Sequence, residues 1–297
     1  MFTGLGAFPL TPMNEQGVDE KAFMGLVQQL ARAKVDTIAA LGSTGGYAYL
    51  SRAERTRIAH LAVEAAEDVP VMVSIGALRT REVLALAEEA QKVGVKALLL
   101  PPVSYQKLSQ DDVFSLYETV TANISVPLCV YDNPGTTHFE FTDELHGRIA
   151  ALPNVGSIKI PGVPESPDLA CARVERLREL IPSHVTIGVS GDVFAAVGMN
   201  AGCDAWYSVM GGLFPHTALA ITRAALSGDA DEATRLSDAL KPLWALFRQF
   251  GGSFRVIATA AELRGLTCFP SVPLPLRTVT GEGRDQIAAV IDALELS

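Results

Sequence analysis

Short apolar runs, many of them β-branched, recur along the first three quarters of the chain with helical stretches between them. This alternation constrains the fold more than any other feature. The strand candidates are Leu5–Phe8, Thr37–Leu41, Val71–Ile75, Ala97–Leu100, Leu128–Tyr131, Gly156–Ile160, Val185–Val189 and Ala205–Val209. Most are apolar on both faces, the pattern of parallel strands covered on each side. Their starts fall about 20–35 residues apart, the length of a strand–helix–strand unit. Helix-start signals lie between them. Ser51-Arg52-Ala53-Glu54 is a capping-box pattern, followed by Ile58, Leu61, Ala62 and Ala65 at helical spacing. Ser109-Gln110-Asp111-Asp112 opens another helix before Val113, Leu116 and Tyr117. Eight such strands with intervening helices predict an α/β fold, a (β/α)8 TIM barrel. A doubly wound open sheet would have fewer strands and usually a glycine fingerprint after the first. Here the first strand runs through Gly6-Ala7-Phe8-Pro9, with neither GxGxxG nor a Walker lysine.

After about residue 226 the strand signals stop. Asp229–Phe250 reads as one long helix kinked at Pro242, where the backbone donor is missing. Gly251–Gly265 and Gly283–Leu296 read as further helices, and no Ser/Gly linker separates them from what precedes. The expectation is a catalytic barrel over residues 1–226 and a helical C-terminal extension over residues 227–297 packed on it. With 48% apolar and 19% charged residues in a chain of 297, this is a globular protein with a sizeable core.

A net charge of −9 argues against nucleic acid or an anionic membrane as partner, since both attract basic surfaces. It leaves small anionic substrates open. Cys129, Cys171, Cys203 and Cys268 show no CxxC spacing, which points to a reducing compartment. No basic start precedes the first apolar residues, and Pro9 and Pro12 interrupt them, so no signal peptide is expected. No apolar stretch approaches the ~18 residues of a membrane helix. The chain is expected to be soluble and cytoplasmic. His60, His138, His146, His184 and His216 are scattered without metal-ligand spacing, so neither a metal nor a cofactor is expected.

In a TIM barrel, chemistry gathers where strands end and loops begin. The strand ends supply Gly42-Ser43-Thr44-Gly45-Gly46, Pro101-Pro102 with Tyr105, Tyr131, Lys159, and Ser190-Gly191-Asp192. Lys159 stands out because it interrupts the apolar run Val155-Gly156-Ser157-Ile158-Lys159-Ile160. A lysine titrates near ~10.4 in water, and burial and neighbours tune catalytic lysines down to roughly 7–8. Such an amine condenses with ketones to form a Schiff base. The plainer alternative is a strand-end lysine whose ammonium snorkels to water. A tyrosine at a neighbouring strand end can move protons, and hydroxyls with backbone N–H groups can hold a carboxylate.

With these residues in place, the chain resembles the dihydrodipicolinate synthase / N-acetylneuraminate lyase family of pyruvate-dependent Schiff-base aldolases. The likeness runs from Phe2-Thr3-Gly4 and Thr11-Pro12-Met13 to the C-terminal helices. The family's GTTGE or GSTGE signature stands here as Gly42-Ser43-Thr44-Gly45-Gly46, and YNxPxxT as Tyr131-Asp132-Asn133-Pro134-Gly135-Thr136-Thr137. The lysine strand is Gly156-Ser157-Ile158-Lys159, and SGDD is Ser190-Gly191-Asp192-Val193. The resemblance implies that Lys159 forms the imine with pyruvate or a related 2-oxo acid. Ser43 and Thr44 then hold the carboxylate, and Tyr131 is the general acid/base. It further implies a relay through Ser43 and a second tyrosine, Tyr105, delivered by a neighbouring subunit, hence a homodimer or homotetramer. Gly191 and Tyr207 fall where the family lines the imine pocket, Tyr207 being larger than the usual aliphatic residue. An aldehyde is the implied co-substrate.

The departures concern substrate choice. Thr136 stands where the synthases carry an arginine for the substrate carboxylate, and a threonine cannot replace a bidentate guanidinium. Gly46 replaces the signature's glutamate. Tyr47, Leu78 and Ser104 occupy the positions of the lysine-feedback pocket of regulated synthases, so feedback by lysine is not expected. The alternatives are a true 4-hydroxy-tetrahydrodipicolinate synthase, a 2-keto-3-deoxy sugar acid aldolase or dehydratase, and a non-catalytic metabolite-binding barrel. Fold alone does not decide among them.

Overall fold

The computed structural model describes residues 1–297. Its eight parallel strands are β1 (Gly4–Ala7), β2 (Thr37–Ala40), β3 (Val71–Ser74), β4 (Ala97–Leu100), β5 (Leu128–Tyr131), β6 (Val155–Ile160), β7 (Thr186–Ser190) and β8 (Ala205–Ser208). Each pairs with its sequence neighbours, and β1 pairs with both β2 and β8, which closes the barrel. Each expected strand lies within a residue of its predicted bounds. A two-stranded hairpin, Met13–Asn14 with Gly17–Val18, was not foreseen because strands of two residues carry no periodicity.

Side-chain alternation along the strands produces two cores. The outward residues pack under the helices in one cluster of 74 buried side chains. The inward residues form a separate cluster of 10 that includes Phe8, Cys129, Tyr131 and Tyr207. Lys159 and Ser157 are buried polar residues at alternate positions of β6. The helices start where the caps say they should. Ser51 caps Arg52–Ala65, its hydroxyl accepting from the Glu54 amide while the Glu54 carboxylate accepts from Ser51 N–H at 2.8 Å. Ser109 and Asp112 do the same for Gln110–Thr121, each cap stabilising by about 1 kcal/mol.

The C-terminal region departs from the reading of one kinked helix. It forms two helices, Ala230–Ala239 and Lys241–Gln249, that meet at Leu240. Pro242 falls in the first turn of the second helix, where its missing N–H has no helical acceptor to lose. Two more helices follow, Ser253–Leu263 and Glu282–Ala293. Their apolar residues Leu243, Trp244, Val256, Ile257 and Ile287 join the same outer cluster as the barrel helices. No helix is long and apolar enough to cross a membrane.

Candidate active site

Strand register brings the lysine and the tyrosine together. Tyr131 on β5 and Lys159 on β6 are Cα partners, and both side chains point into the barrel at its C-terminal end. The Lys159 amine lies 4.5 Å from the Tyr131 ring centroid and 5.8 Å from that of Phe8. No carboxylate lies within 4.0 Å of that amine. The side chain is 5% exposed, so the snorkelling alternative does not describe it. Asn133 donates to the Tyr131 hydroxyl at 3.4 Å, and the Asp132 N–H donates to the Lys159 carbonyl at 2.9 Å.

The Gly42–Gly46 loop is held in a tight, partly strained turn. Leu41, the residue after β2, has φ 57, costly for a branched side chain, at about 1–3 kcal/mol. A Cβ on Gly42 would meet the Phe8 ring at 2.5 Å, and one on Gly45 would meet the Leu41 backbone at 2.9 Å. The loop therefore needs glycine at both places. Thr44 is buried, whereas Ser43 is exposed, with its carbonyl accepting from Gly46 N–H at 3.1 Å.

Beside this loop Tyr47 is buried under Arg55, whose guanidinium lies 5.1 Å from the ring centroid. Burial pushes the Tyr47 hydroxyl up to about 12, nearby Tyr131 adding to the effect and Arg55 opposing it. Arg55 is buried without a carboxylate and donates instead to the carbonyls of Gly76 and Ser74 at 2.8 and 2.9 Å.

Gly191 sits at φ 80, a conformation that favours glycine, and turns the chain after β7 so that Asp192 is buried against the end of β8. Asp192 accepts from the Trp206 indole at 3.2 Å, the Ser208 hydroxyl at 2.9 Å, and the Val209 and Met210 amides at 3.2 and 2.8 Å. Burial pushes its carboxyl up, and these four donors pull it back. This aspartate fastens the end of β7 to the end of β8.

Three expected site residues differ in setting from the buried lysine and tyrosine, two being exposed and one spent on contacts within the protein. Tyr105 is 90% exposed in the loop after β4, so it makes little contact with its own chain. Thr136 is exposed in the one-turn helix Pro134–Thr137. Tyr207 is wholly inside the barrel, and its hydroxyl engages protein, at Ser157 Oγ (2.8 Å) and Cys129 Sγ (3.6 Å). Its ring fits because Gly6 and Gly188 flank it. Sequence reasoning did not single out Phe8, at the end of a strand candidate, or Arg55, one turn into a helix and outside every motif. Ser157 and Cys129 were also missed, since only the register of distant strands joins them to Tyr207.

Comparisons with known proteins bear on the family and the fold. The family model described as "Dihydrodipicolinate synthetase family" matches residues 1–294. The 4-hydroxy-tetrahydrodipicolinate synthase of Neisseria meningitidis serogroup B is 30% identical over 288 residues, covering 96% of each chain. That of Parvibaculum lavamentivorans is 32% identical over 282 residues, covering 93% of this chain and 92% of its own. Among solved structures, a dihydrodipicolinate synthase from Agrobacterium tumefaciens superposes with TM-score 0.94 at 43% identity, covering 99% of this chain and 98% of that one. A matching family model over nearly the whole chain, on a closed barrel, places this chain in the dihydrodipicolinate synthetase family, the Schiff-base aldolases and lyases that act on pyruvate.

Proposed function

We propose that Lys159 carries the imine and Tyr131 moves the protons. The observation that carries this reading is a buried amine with no acidic partner, lying 4.5 Å from the ring of a tyrosine on the adjacent strand. An amine kept from carboxylates has no ion pair to turn it away from a bound ketone. Addition of the neutral amine to C2 of pyruvate, with loss of water, gives the imine. Loss of a C3 proton gives an enamine, which adds to the carbonyl carbon of an aldehyde; run backwards, the same steps cleave. Tyr131, oriented by Asn133, exchanges protons with the imine and the aldehyde oxygen. Thr44, Ser43 and the backbone amides of their loop hold the carboxylate in this reading. Gly191 shapes the neighbouring turn. Residues 1–226 carry this chemistry, and residues 227–297 are an extension sharing the outer core. A Tyr105 hydroxyl so exposed on its own chain supports delivery into a neighbour's site, hence at least a homodimer.

Incubation with pyruvate and borohydride, followed by intact mass measurement, tests the imine. The native protein is expected to gain one reduced pyruvyl group, and Lys159→Ala none; a native protein without an adduct sinks the reading. The aldehyde is the finer question. Exposed Thr136 offers no guanidinium to a second carboxylate, so we infer an aldehyde co-substrate other than aspartate semialdehyde. In an aldehyde panel, aspartate semialdehyde is expected to fall below the ~10⁴ M⁻¹s⁻¹ that marks ordinary metabolic turnover. A higher kcat/KM for it would make the chain a true synthase.

A further inference from the structure

The Tyr207 side chain spans the barrel directly below the proposed imine lysine. Tyr207 lies on β8, yet its hydroxyl ends against β6 and β5, at Ser157 Oγ (2.8 Å) and Cys129 Sγ (3.6 Å). To get there it crosses β7. A Cβ on Gly188 would come within 2.2 Å of the ring, and one on Gly6 of β1 within 2.6 Å. Gly188 is the Cα partner of Lys159. Phe8, which faces the lysine amine, meets the Tyr207 ring edge-on at 6.0 Å between centroids.

The two hydroxyl partners have a defined relation to the chemistry. Ser157 precedes Lys159 by two residues on β6, and Cys129 precedes Tyr131 by two on β5. Alternation places each on the same inward face as its catalytic neighbour, one step toward the N-terminal end of the barrel. Ser157 and Cys129 are themselves Cα partners, as Lys159 and Tyr131 are. The reacting pair thus stands on a floor tied together by one phenolic hydroxyl. Burial pushes its pKa well above the ordinary tyrosine range, so the hydroxyl stays protonated and serves as a fixed hydrogen-bonding dipole.

A lysine stem has many rotamers, and no ion pair restrains this one. The rings of Tyr131 and Phe8 lie around its amine, at 4.5 and 5.8 Å from their centroids. We propose that Tyr207 is a positioning residue for imine formation: its hydroxyl, tied to Ser157 and Cys129, fixes the strand faces that carry Lys159 and Tyr131. The assignment rests on the imine reading above. Misplacement of a reacting group by about 1 Å is enough to cost on the order of a hundredfold in rate.

The test uses Tyr207→Phe, Ser157→Ala and the double variant. For each, the rate of borohydride-trapped pyruvate adduct is measured at saturating pyruvate, together with KM for pyruvate and Tm. Assays run well below the lowest Tm, so unfolding does not contribute. Each single variant is expected to trap pyruvate about tenfold or more slowly, with KM changed less than about twofold. The double variant is expected to be no slower than the worse single, because both remove the Tyr207–Ser157 hydrogen bond. Should Tyr207→Phe fail to fold, Ser157→Ala reads the same bond from its other end. Trapping at the native rate, or losses that multiply in the double variant, overturn the positioning role alone. A native protein that traps nothing overturns the imine reading and this role with it.

Discussion

Arg55 shows how far one side chain can depart from its local pattern. It follows a capping box on a helix, where an arginine ordinarily lies on the solvated face. Here it is buried, its guanidinium shared between the carbonyls of Ser74 and Gly76 and the ring of Tyr47. Those carbonyls close the end of β3, and Tyr47 begins the turn after the Gly42–Gly46 loop. Arg55 therefore braces the backbone that shapes the proposed carboxylate site. Arg55→Ala leaves two carbonyls without a donor and a void beside Tyr47, and is expected to destabilise by about 2–4 kcal/mol. Urea unfolding checks this, and a loss below about 0.5 kcal/mol, the range of an ordinary surface substitution, would return Arg55 to the solvated face. Lys159, by contrast, was legible because a charge inside an apolar run is rare and has few explanations. Phe8, Ser157 and Cys129 were not, since each has an innocuous neighbourhood in sequence and gains its meaning only from strands far along the chain.

At the scale of elements, legibility follows the length and regularity of the signal. Strands apolar on both faces announced themselves because burial under helices and around a barrel axis asks for it. Capping boxes at Ser51 and Ser109 marked helix starts because the orphan amides there need a side-chain acceptor. The region 229–250 was harder. Its apolar spacing runs through Pro242, and the spacing alone cannot say whether a helix bends or restarts. The structure restarts it at Leu240, which puts the proline where it does least harm. The Asp192 contacts were beyond any local pattern. The Ser190-Gly191-Asp192 motif was visible, but that the carboxylate ties two strand ends together depends on the closeness of β7 and β8. That tie explains the motif structurally: Gly191 supplies the φ of 80, and Asp192 collects donors from residues 206–210.

The whole molecule raises the question of where one site ends and its neighbour begins. Among the proposed catalytic residues, Lys159 and Tyr131 are almost fully enclosed and Tyr105 is 90% exposed. A proton-relay residue works inside a site, so a tyrosine this exposed on its own chain belongs to a relay only if it enters the barrel of a second copy. Complementation separates that arrangement from a relay within one chain. Tyr105→Phe and Lys159→Ala are each expected to be impaired alone, Tyr105→Phe by at least about tenfold as a lost acid–base partner. In a hybrid dimer of the two, one site lacks the lysine and also receives phenylalanine. The other keeps Lys159 and receives the intact Tyr105 of the lysine-free subunit, and is native in composition. Equal amounts co-refolded into random dimers make half of the dimers hybrid with one restored site each, so about a quarter of native activity is expected to return. If Tyr105 serves its own chain, the lysine-bearing site of the hybrid still holds phenylalanine. The mixture is then no more active than the average of its two parts, and the intersubunit relay is wrong.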